Sequence, residues 1–276
     1  MSPITHRVGL AADNALEFEV VTTDGRHLTA SATENSDLYW ALSGGGPGNY
    51  DVVLSLTTKA YADGPTAGAT LAFINTDPDK YWKAIGAFQS RLLALDEIHG
   101  FATSWGLDNR AFSVDVATLP NGTQSDLTDA YRQIAESPQF PVKRISGNSV
   151  SVYRQRIYRD LTRNAVLPAW KDALYTMSVG VQISPDLSSA ELAVVQQQVN
   201  KWQDLFRPLR PGGGAYVSEA TFDNPNWKED YFGRNYDRLL EIKMKYDPNF
   251  ALWQHISVGA DAYWKVTEAG RLCRVP

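Results

Sequence analysis

Four glycines fall within five positions of the stretch SGGGPGNYDVV, at Gly44, Gly45, Gly46 and Gly48. What flanks them constrains the fold more than any other feature. The preceding ENSDLYWALS has a capping residue, Asn35 or Ser36, and an apolar set of Leu38, Trp40, Ala41 and Leu42, the pattern of a short helix. The following YDVVLSLTTKAY is β-branched and predicts a strand. Phosphate-binding loops run in the opposite order, from a strand through glycines into a helix N-terminus. The spacing disagrees as well: a dinucleotide fingerprint needs glycine where Asn49 stands, and no Gly-Lys-Ser/Thr follows. The glycines therefore read as a helix C-cap and tight corner that needs positive φ, with close backbone approach as the other reading.

The rest of the sequence removes several classes of function. Net charge is −5 and there is no long basic run, so nucleic acid is not expected as a partner. No apolar run approaches a membrane span, and MSPITHRVGLAADN lacks the apolar core of an export signal. A single cysteine, Cys273, excludes an internal disulfide framework. His6, His27, His99 and His255 are too scattered for a zinc motif, and no nucleophile-elbow sequence is present. Eight Trp, 13 Tyr and 10 Phe suit either a pocket for a flat organic ligand or a large core.

Along the chain, LEFEVVTTDGRHLTAS alternates on both sides of Asp24-Gly25 and predicts a β-hairpin. GATLAFIN reads as a strand, and DPDKYWKAIGAFQSRLLALDEI as an amphipathic helix with Trp82, Ile85, Phe88, Leu92 and Leu95 inward. Two strands surround Asp108-Asn109. A helix over Leu127 to Ala135, a Pro-containing link and a helix near Val152 to Leu161 follow. YTMSVGVQIS is a strand, and DLSSAELAVVQQQVNKWQDLF a helix capped near Ser184 to Asp186. AYVSEAT after the glycines at 212 to 214 reads as a strand, and NWKEDYFGRNYDRLLEIKMKYDP as helix stopped at Asp247-Pro248, with Arg238, Lys243 and Lys245 on a solvated face. Alternating strands and helices with hairpins between neighbours predict an α+β architecture around an antiparallel sheet.

Three stretches carry a resemblance. VGLAADNALEFEVVTTDGRHLTASATENSDLYWALSGGGPGNYDVV resembles the second half of the flavin-binding domain of berberine-bridge-enzyme-like FAD oxidases, in the vanillyl-alcohol-oxidase superfamily with its PCMH-type FAD-binding domain. YFGRNYDRLLEIKMKYDP resembles their C-terminal helix, and AYVSEAT a strand of their substrate domain; the tail GRLCR matches as well. The likeness is greatest to fungal members. It implies a part of the FAD-binding domain over 1–62, a substrate-binding domain over 63–220 and a C-terminal segment over 221–276 that returns to the flavin domain. Such oxidases usually carry Arg before the glycines and Gly after the aromatic residue, where this chain has Ser43 and Asp51, so the glycine loop reads as a structural corner. Their N-terminal lobe, with a pyrophosphate loop and commonly a His and a Cys bonded to flavin, has no counterpart. Ser2-Pro3-Ile4 resembles the end of a G-G-H-S-P-L loop with Met1 in place of His, so the chain is expected to be the C-terminal portion of such an oxidase.

The resemblance also implies residue roles. Tyr216 matches a tyrosine that acts as base in the carbohydrate and alcohol oxidases, and Glu219 is retained beside it, while Ser218 and Thr221 replace the usual Asn and Asp. Gly9, Leu10 and Asn14 match the segment whose backbone approaches the cofactor. Val20 lies on the strand that faces the adenine, and Asn235 and Tyr236 match the Asn-Tyr pair on the returning helix. Cys273 matches a tail cysteine that pairs within the unmatched segment, so it is expected here as a free thiol. The implied activity is FAD-dependent oxidation of an alcohol, sugar or secondary-metabolite carbon, with FAD weakly held or not held by this chain alone. The alternatives are a flavin-free binding protein or cyclase on the same fold, or an inactive fragment. A small-molecule substrate is the expected ligand. Exposure of the strand faces around Leu16, Phe18 and Val20 is expected to lead to a homodimer or to pairing with an N-terminal flavin-binding portion. Full-length relatives are often secreted.

Overall fold

The structure, a computed structural model, describes residues 5–62, 70–96, 103–115, 124–138, 143–149, 163–267 and 271–274. The helix expected near Val152 to Leu161 lies outside them. Among the described residues the strands are β1 (Ala15–Thr22), β2 (His27–Ser31), β3 (Asp51–Thr58), β4 (Leu71–Ile74), β5 (Ser104–Leu107), β6 (Ala111–Asp115), β7 (Lys143–Ser149), β8 (Tyr175–Val181), β9 (Trp264–Val266) and β10 (Leu272–Arg274). With the helices between them, they make an α+β fold. The chain forms two compact units, one from Gly9–Asp63, Tyr158–Lys171 and Gly214–Pro276, the other from Met1–Val8, Gly64–Ile157 and Asp172–Gly213.

The first unit holds an antiparallel sheet in the order β2-β1-β3. Gly25, at φ +84°, turns β1 into β2, as Asp24-Gly25 predicts. The helix Ser36–Leu42 and the helix Tyr236–Tyr246 bury Leu38, Trp40, Leu42, Tyr236, Leu239, Ile242 and Tyr246 in a common core with Phe18 and Val20. The expectation that Phe18 and Val20 are exposed is therefore corrected: they are 4% and 0% accessible, because the two helices cover their face of β1. The exposed apolar surface lies instead at Leu16 and along β3, where Val52, Leu54 and Leu56 are each more than half exposed.

The glycine corner is built as a helix end. Ser43 is the C-cap, and the Gly45 amide donates to the Ala41 carbonyl at 2.8 Å. Gly44 turns at φ +113°, and a Cβ there would stand 2.4 Å from Val166 Cγ2 and 2.5 Å from the Val166 nitrogen. A Cβ on Gly45 would meet Leu239 Cδ2 at 2.4 Å. Both readings of the glycines thus hold: they supply positive φ and also let the corner touch neighbouring chain.

A buried ion pair fastens this corner. Lys243 and Asp247, one helical turn apart, have fully buried side chains joined at 2.5 Å. Lys243 Nζ also donates to the carbonyls of Asn49 and, at 2.7 Å, of Leu252. Asp247 accepts from the Ala251 and Leu252 amides at 2.9 and 3.0 Å. Burial alone would raise the Asp247 pKa, but Lys243 and these amides hold it below the ordinary value. The solvated-face reading holds for Arg238 and Lys245, which are exposed, with Lys245 pairing to Asp37 at 2.6 Å and the Arg238 guanidinium 3.9 Å over the Trp40 ring; it is corrected at Lys243, which is in the core.

The second unit is a five-stranded antiparallel sheet ordered β4-β6-β5-β7-β8. One face packs Trp105, Leu107, Phe112 and Ile145 against the helices Pro78–Asp96, Gln124–Glu136 and Ser189–Asp204, through Trp82, Ile85, Tyr131, Ile134 and Trp202. Two sequence expectations are corrected. Residues 143–149, read as part of a Pro-containing link, form β7 between β5 and β8. The helix after the linker is capped by Ser188, in a capping box with Glu191, rather than near Ser184 to Asp186.

Two substitutions test this account. Gly44→Ala should destabilise the chain well beyond Gly48→Ala: both glycines have positive φ, but a Cβ at Gly48 meets nothing within 4 Å, leaving only backbone strain of about 1–3 kcal/mol. Lys243→Met should cost about 3–5 kcal/mol, because Asp247 is left buried without its cation. Denaturant unfolding of the three variants measures both effects; equal losses at Gly44 and Gly48, or a neutral Lys243→Met, would contradict the packing described.

Candidate functional site

All eight residues singled out by the sequence lie in the first unit. Gly9, Leu10 and Asn14 come together in one turn. Gly9 has φ +89°, the Leu10 amide donates to Asp13 Oδ2 at 2.8 Å, and Asn14 Nδ2 donates to the Leu10 carbonyl at 2.9 Å. The Tyr61 hydroxyl donates to Asn14 Oδ1. Val20 sits mid-strand in β1, opposite Leu28 of β2 and Val53 of β3.

Tyr216 and Glu219 also share a turn. The strand expected over AYVSEAT is corrected to an extended residue, Tyr216, followed by a 3-10 turn, Val217–Glu219, closed by the Glu219 amide on the Tyr216 carbonyl at 2.9 Å. The Ala215 amide bonds instead to the Asp230 carbonyl at 2.9 Å, so no strand partner is recruited. The Tyr216 ring stands edge-on to Trp170 with centroids 6.1 Å apart, is 49% exposed, and its hydroxyl makes no hydrogen bond among the described residues. Glu219 is exposed.

Asn235 Nδ2 donates to the carbonyls of Ala165 and Val166 at 3.2 and 3.1 Å, the same segment that receives Gly44. Tyr236 is buried, its hydroxyl accepts from the Gly259 amide at 3.2 Å, and Lys228 lies 5.0 Å over its ring. Burial raises the Tyr236 phenol pKa, which fits a neutral, structural hydroxyl.

Three buried polar groups near the corner escaped the sequence reading. Asn164 Nδ2 donates to Asp13 Oδ1 at 2.5 Å, while Asn164 Oδ1, Ser43 Oγ and both Asp51 oxygens are buried without a partner among the described residues. Burial raises the Asp13 pKa, opposed by the Leu10 amide, Asn164 and Lys171. Asp51 has no such opposition, and burial pushes its pKa up to about 7. The replacement of glycine by aspartate after the aromatic residue was the available signal for it.

These contacts bear on the flavin implied by the resemblance. The polar side chains of Asn14, Asn235 and Tyr236 are spent on the chain's own backbone and on Tyr61, and none of the eight residues is a cation. The open surface of this unit, at Leu16, Val52, Leu54 and Leu56, is apolar.

Asp51 gives a pH test. Its folded pKa lies above the ordinary 3.8, so between 3.8 and about 7 the folded chain holds a proton that the unfolded chain has released. This group's contribution to stability therefore declines as pH rises through that window and is level above it. Asp51→Asn should flatten that decline, worth on the order of 1–3 kcal/mol, in unfolding measured across the window. Identical pH profiles for the two proteins would show that the carboxylate is solvated or paired.

Comparison with known proteins accords with this geometry. The family profile "Berberine and berberine like" matches residues 215–259, which include Tyr216, Glu219, Asn235, Tyr236 and the Lys243–Asp247 pair. The FAD-linked oxidoreductase sor8 of Hypocrea jecorina is 32% identical over 100% of this chain and 58% of its own length. The VAO-type flavoprotein oxidase VAO615 of Thermothelomyces thermophilus is 30% identical over 99% of this chain and 58% of its own. The crystal structure of the VAO-type flavoprotein MtVAO615 from Myceliophthora thermophila superimposes with a TM-score of 0.84 at 29% identity, over 99% of this chain and 62% of that one. This chain accordingly spans about three-fifths of the relatives it matches; it is similar along its whole length to VAO-type flavoproteins, and its residues 215–259 carry the berberine and berberine-like family match.

Proposed function

We propose that this chain is the substrate-binding and C-terminal part of an FAD-linked oxidoreductase that oxidises a carbinol carbon in an alcohol, sugar or secondary metabolite. The carrying observation is that its similarity to FAD-linked oxidoreductases runs end to end. FAD, when bound, would accept the hydride. The chain's own contribution is to orient the substrate and to take the hydroxyl proton, for which Tyr216 Oη, acting as the phenolate, half exposed and free of hydrogen bonds among the described residues, is the candidate. Glu219, one turn on, is the nearest retained acidic residue in the sequence.

FAD binding itself is assigned to this chain together with the portion that its relatives possess and this chain does not match. The apolar strip of β3 supports that division, since contiguous exposed apolar surface marks an interaction site. A homodimer through the same strip is the competing arrangement.

Tyr216→Phe tests the role directly. In the flavin-loaded assembly, substrate oxidation should fall about a hundredfold to ten-thousandfold, with the thermal midpoint nearly unchanged. Unchanged turnover would reduce Tyr216 to a packing partner of Trp170. The chain on its own should show little FAD affinity in a fluorescence titration; tight, stoichiometric binding would mean that residues other than these eight form a complete site.

A further inference from the structure

Asn235 and Gly44 hold the 164–166 segment, and the chain runs on from it into a short helix, Pro168–Asp172. Two further glycines leave room for the start of that helix. A Cβ on Gly214 would stand 2.3 Å from Leu167 Cδ2 and 2.4 Å from the Asp230 carbonyl oxygen, and one on Gly233 would stand 3.1 Å from Leu167 Cδ1. The Trp170 amide donates to the Leu167 carbonyl at 3.0 Å. Lys171 is fully buried, while the Trp170 indole beside it in the sequence is half-buried.

Tyr216 is carried by the stretch that begins at Gly214. The Asp230 carbonyl that crowds Gly214 also accepts the Ala215 amide at 2.9 Å, so the backbone here is fixed to the same packing. The phenol ring is held differently. Its hydroxyl makes no hydrogen bond among the described residues, and its one ring contact among them is the Trp170 indole, perpendicular to it with centroids 6.1 Å apart. This is a preferred geometry for an aromatic pair. A half-exposed phenol free to turn about its side-chain bonds sweeps its oxygen through a wide arc. A proton acceptor must instead hold that oxygen about 2.6–3.2 Å from the hydroxyl it deprotonates.

We propose that Trp170 is the positioning residue of Tyr216: its indole, set by a packed backbone, keeps the ring in the orientation from which the phenolate oxygen reaches a substrate hydroxyl. Trp170 exchanges no proton and acts only through Tyr216, so the proposal rests on the reading of Tyr216 as the proton acceptor. Support of a reactive group by a rigidly held neighbour is what precise placement requires.

Fluorine NMR of the chain labelled with 3-fluorotyrosine tests the placement without flavin or substrate. The resonance missing from Tyr216→Phe belongs to residue 216. In the wild type it should be displaced from its unfolded-chain position by the indole ring; in Trp170→Ala it should narrow and move to that position, and Trp170→Phe should keep part of the displacement. The same resonance in wild type and Trp170→Ala overturns the proposal. In the flavin-loaded assembly, with benzyl alcohol and glucose as probe substrates, Trp170→Ala should lower kcat by about tenfold to a hundredfold at nearly constant KM, and Trp170→Phe should recover most of the loss. Added to Tyr216→Phe, Trp170→Ala should cost nothing further. A full-rate Trp170→Ala beside a slow Tyr216→Phe overturns the positioning role and leaves the acceptor reading standing. A loss confined to KM, or one undiminished in the Tyr216→Phe background, also overturns it. Unchanged turnover in Tyr216→Phe removes the acceptor reading, and the positioning role with it.

Discussion

The first unit depends on one buried ion pair. Lys243 and Asp247 are both removed from water, a cost that is recovered only when every proton and lone pair has a partner. Here the lysine spans its own helix, the end of the glycine corner at Asn49 and the loop at Leu252, while the aspartate takes the Ala251 and Leu252 amides. The end of the helix, the loop that follows it and the glycine corner, almost two hundred residues earlier, are fixed to a common point. The corner then has a defined position against Val166 and Leu239, and only glycine fits at its points of closest approach.

From that corner the placement of the candidate residues follows. The 164–166 segment, pressed on Gly44, accepts the Asn235 amide and presents Asn164 to Asp13, which in turn caps the turn holding Gly9, Leu10 and Asn14. Residues matched to cofactor contacts thus double as the unit's internal struts. Tyr216 stands apart from them in this respect. It is bonded through its backbone, and its phenol makes no hydrogen bond among the described residues.

Local pattern made much of this legible. Period-two alternation around Asp24-Gly25 marks the hairpin, and the apolar spacing of Trp82, Ile85 and Leu92 marks the long helix. Where the reading failed, distant neighbours had decided the outcome. In β7, KRISGNS shows little β character in sequence, because its Gly147 leaves room for the Trp105 ring, which a Cβ would approach to 2.6 Å, and because Arg144, Ser146 and Asn148 alternate with the buried Ile145 and Gly147. Lys243 looks solvated in the helical pattern; its pair with Asp247 is local, but the contact with the Asn49 carbonyl, almost two hundred residues earlier, belongs to the tertiary packing that buries it. AYVSEAT reads as a strand both by its own pattern and by its resemblance, but the Ala215–Asp230 bond turns the chain aside. The unpartnered Asp51 was visible only as an odd substitution, because its environment is assembled from separate segments.

The central claim is that this chain completes a flavin site that it does not form alone. The visible flavin spectrum tests it most directly, recorded with FAD for the chain by itself and after co-expression with the preceding portion of the Thermothelomyces thermophilus relative. The account predicts free-flavin absorbance for the chain alone and a protein-bound, shifted flavin band that co-purifies with the pair. A bound flavin band in the chain alone, or none in the well-folded pair, would contradict it.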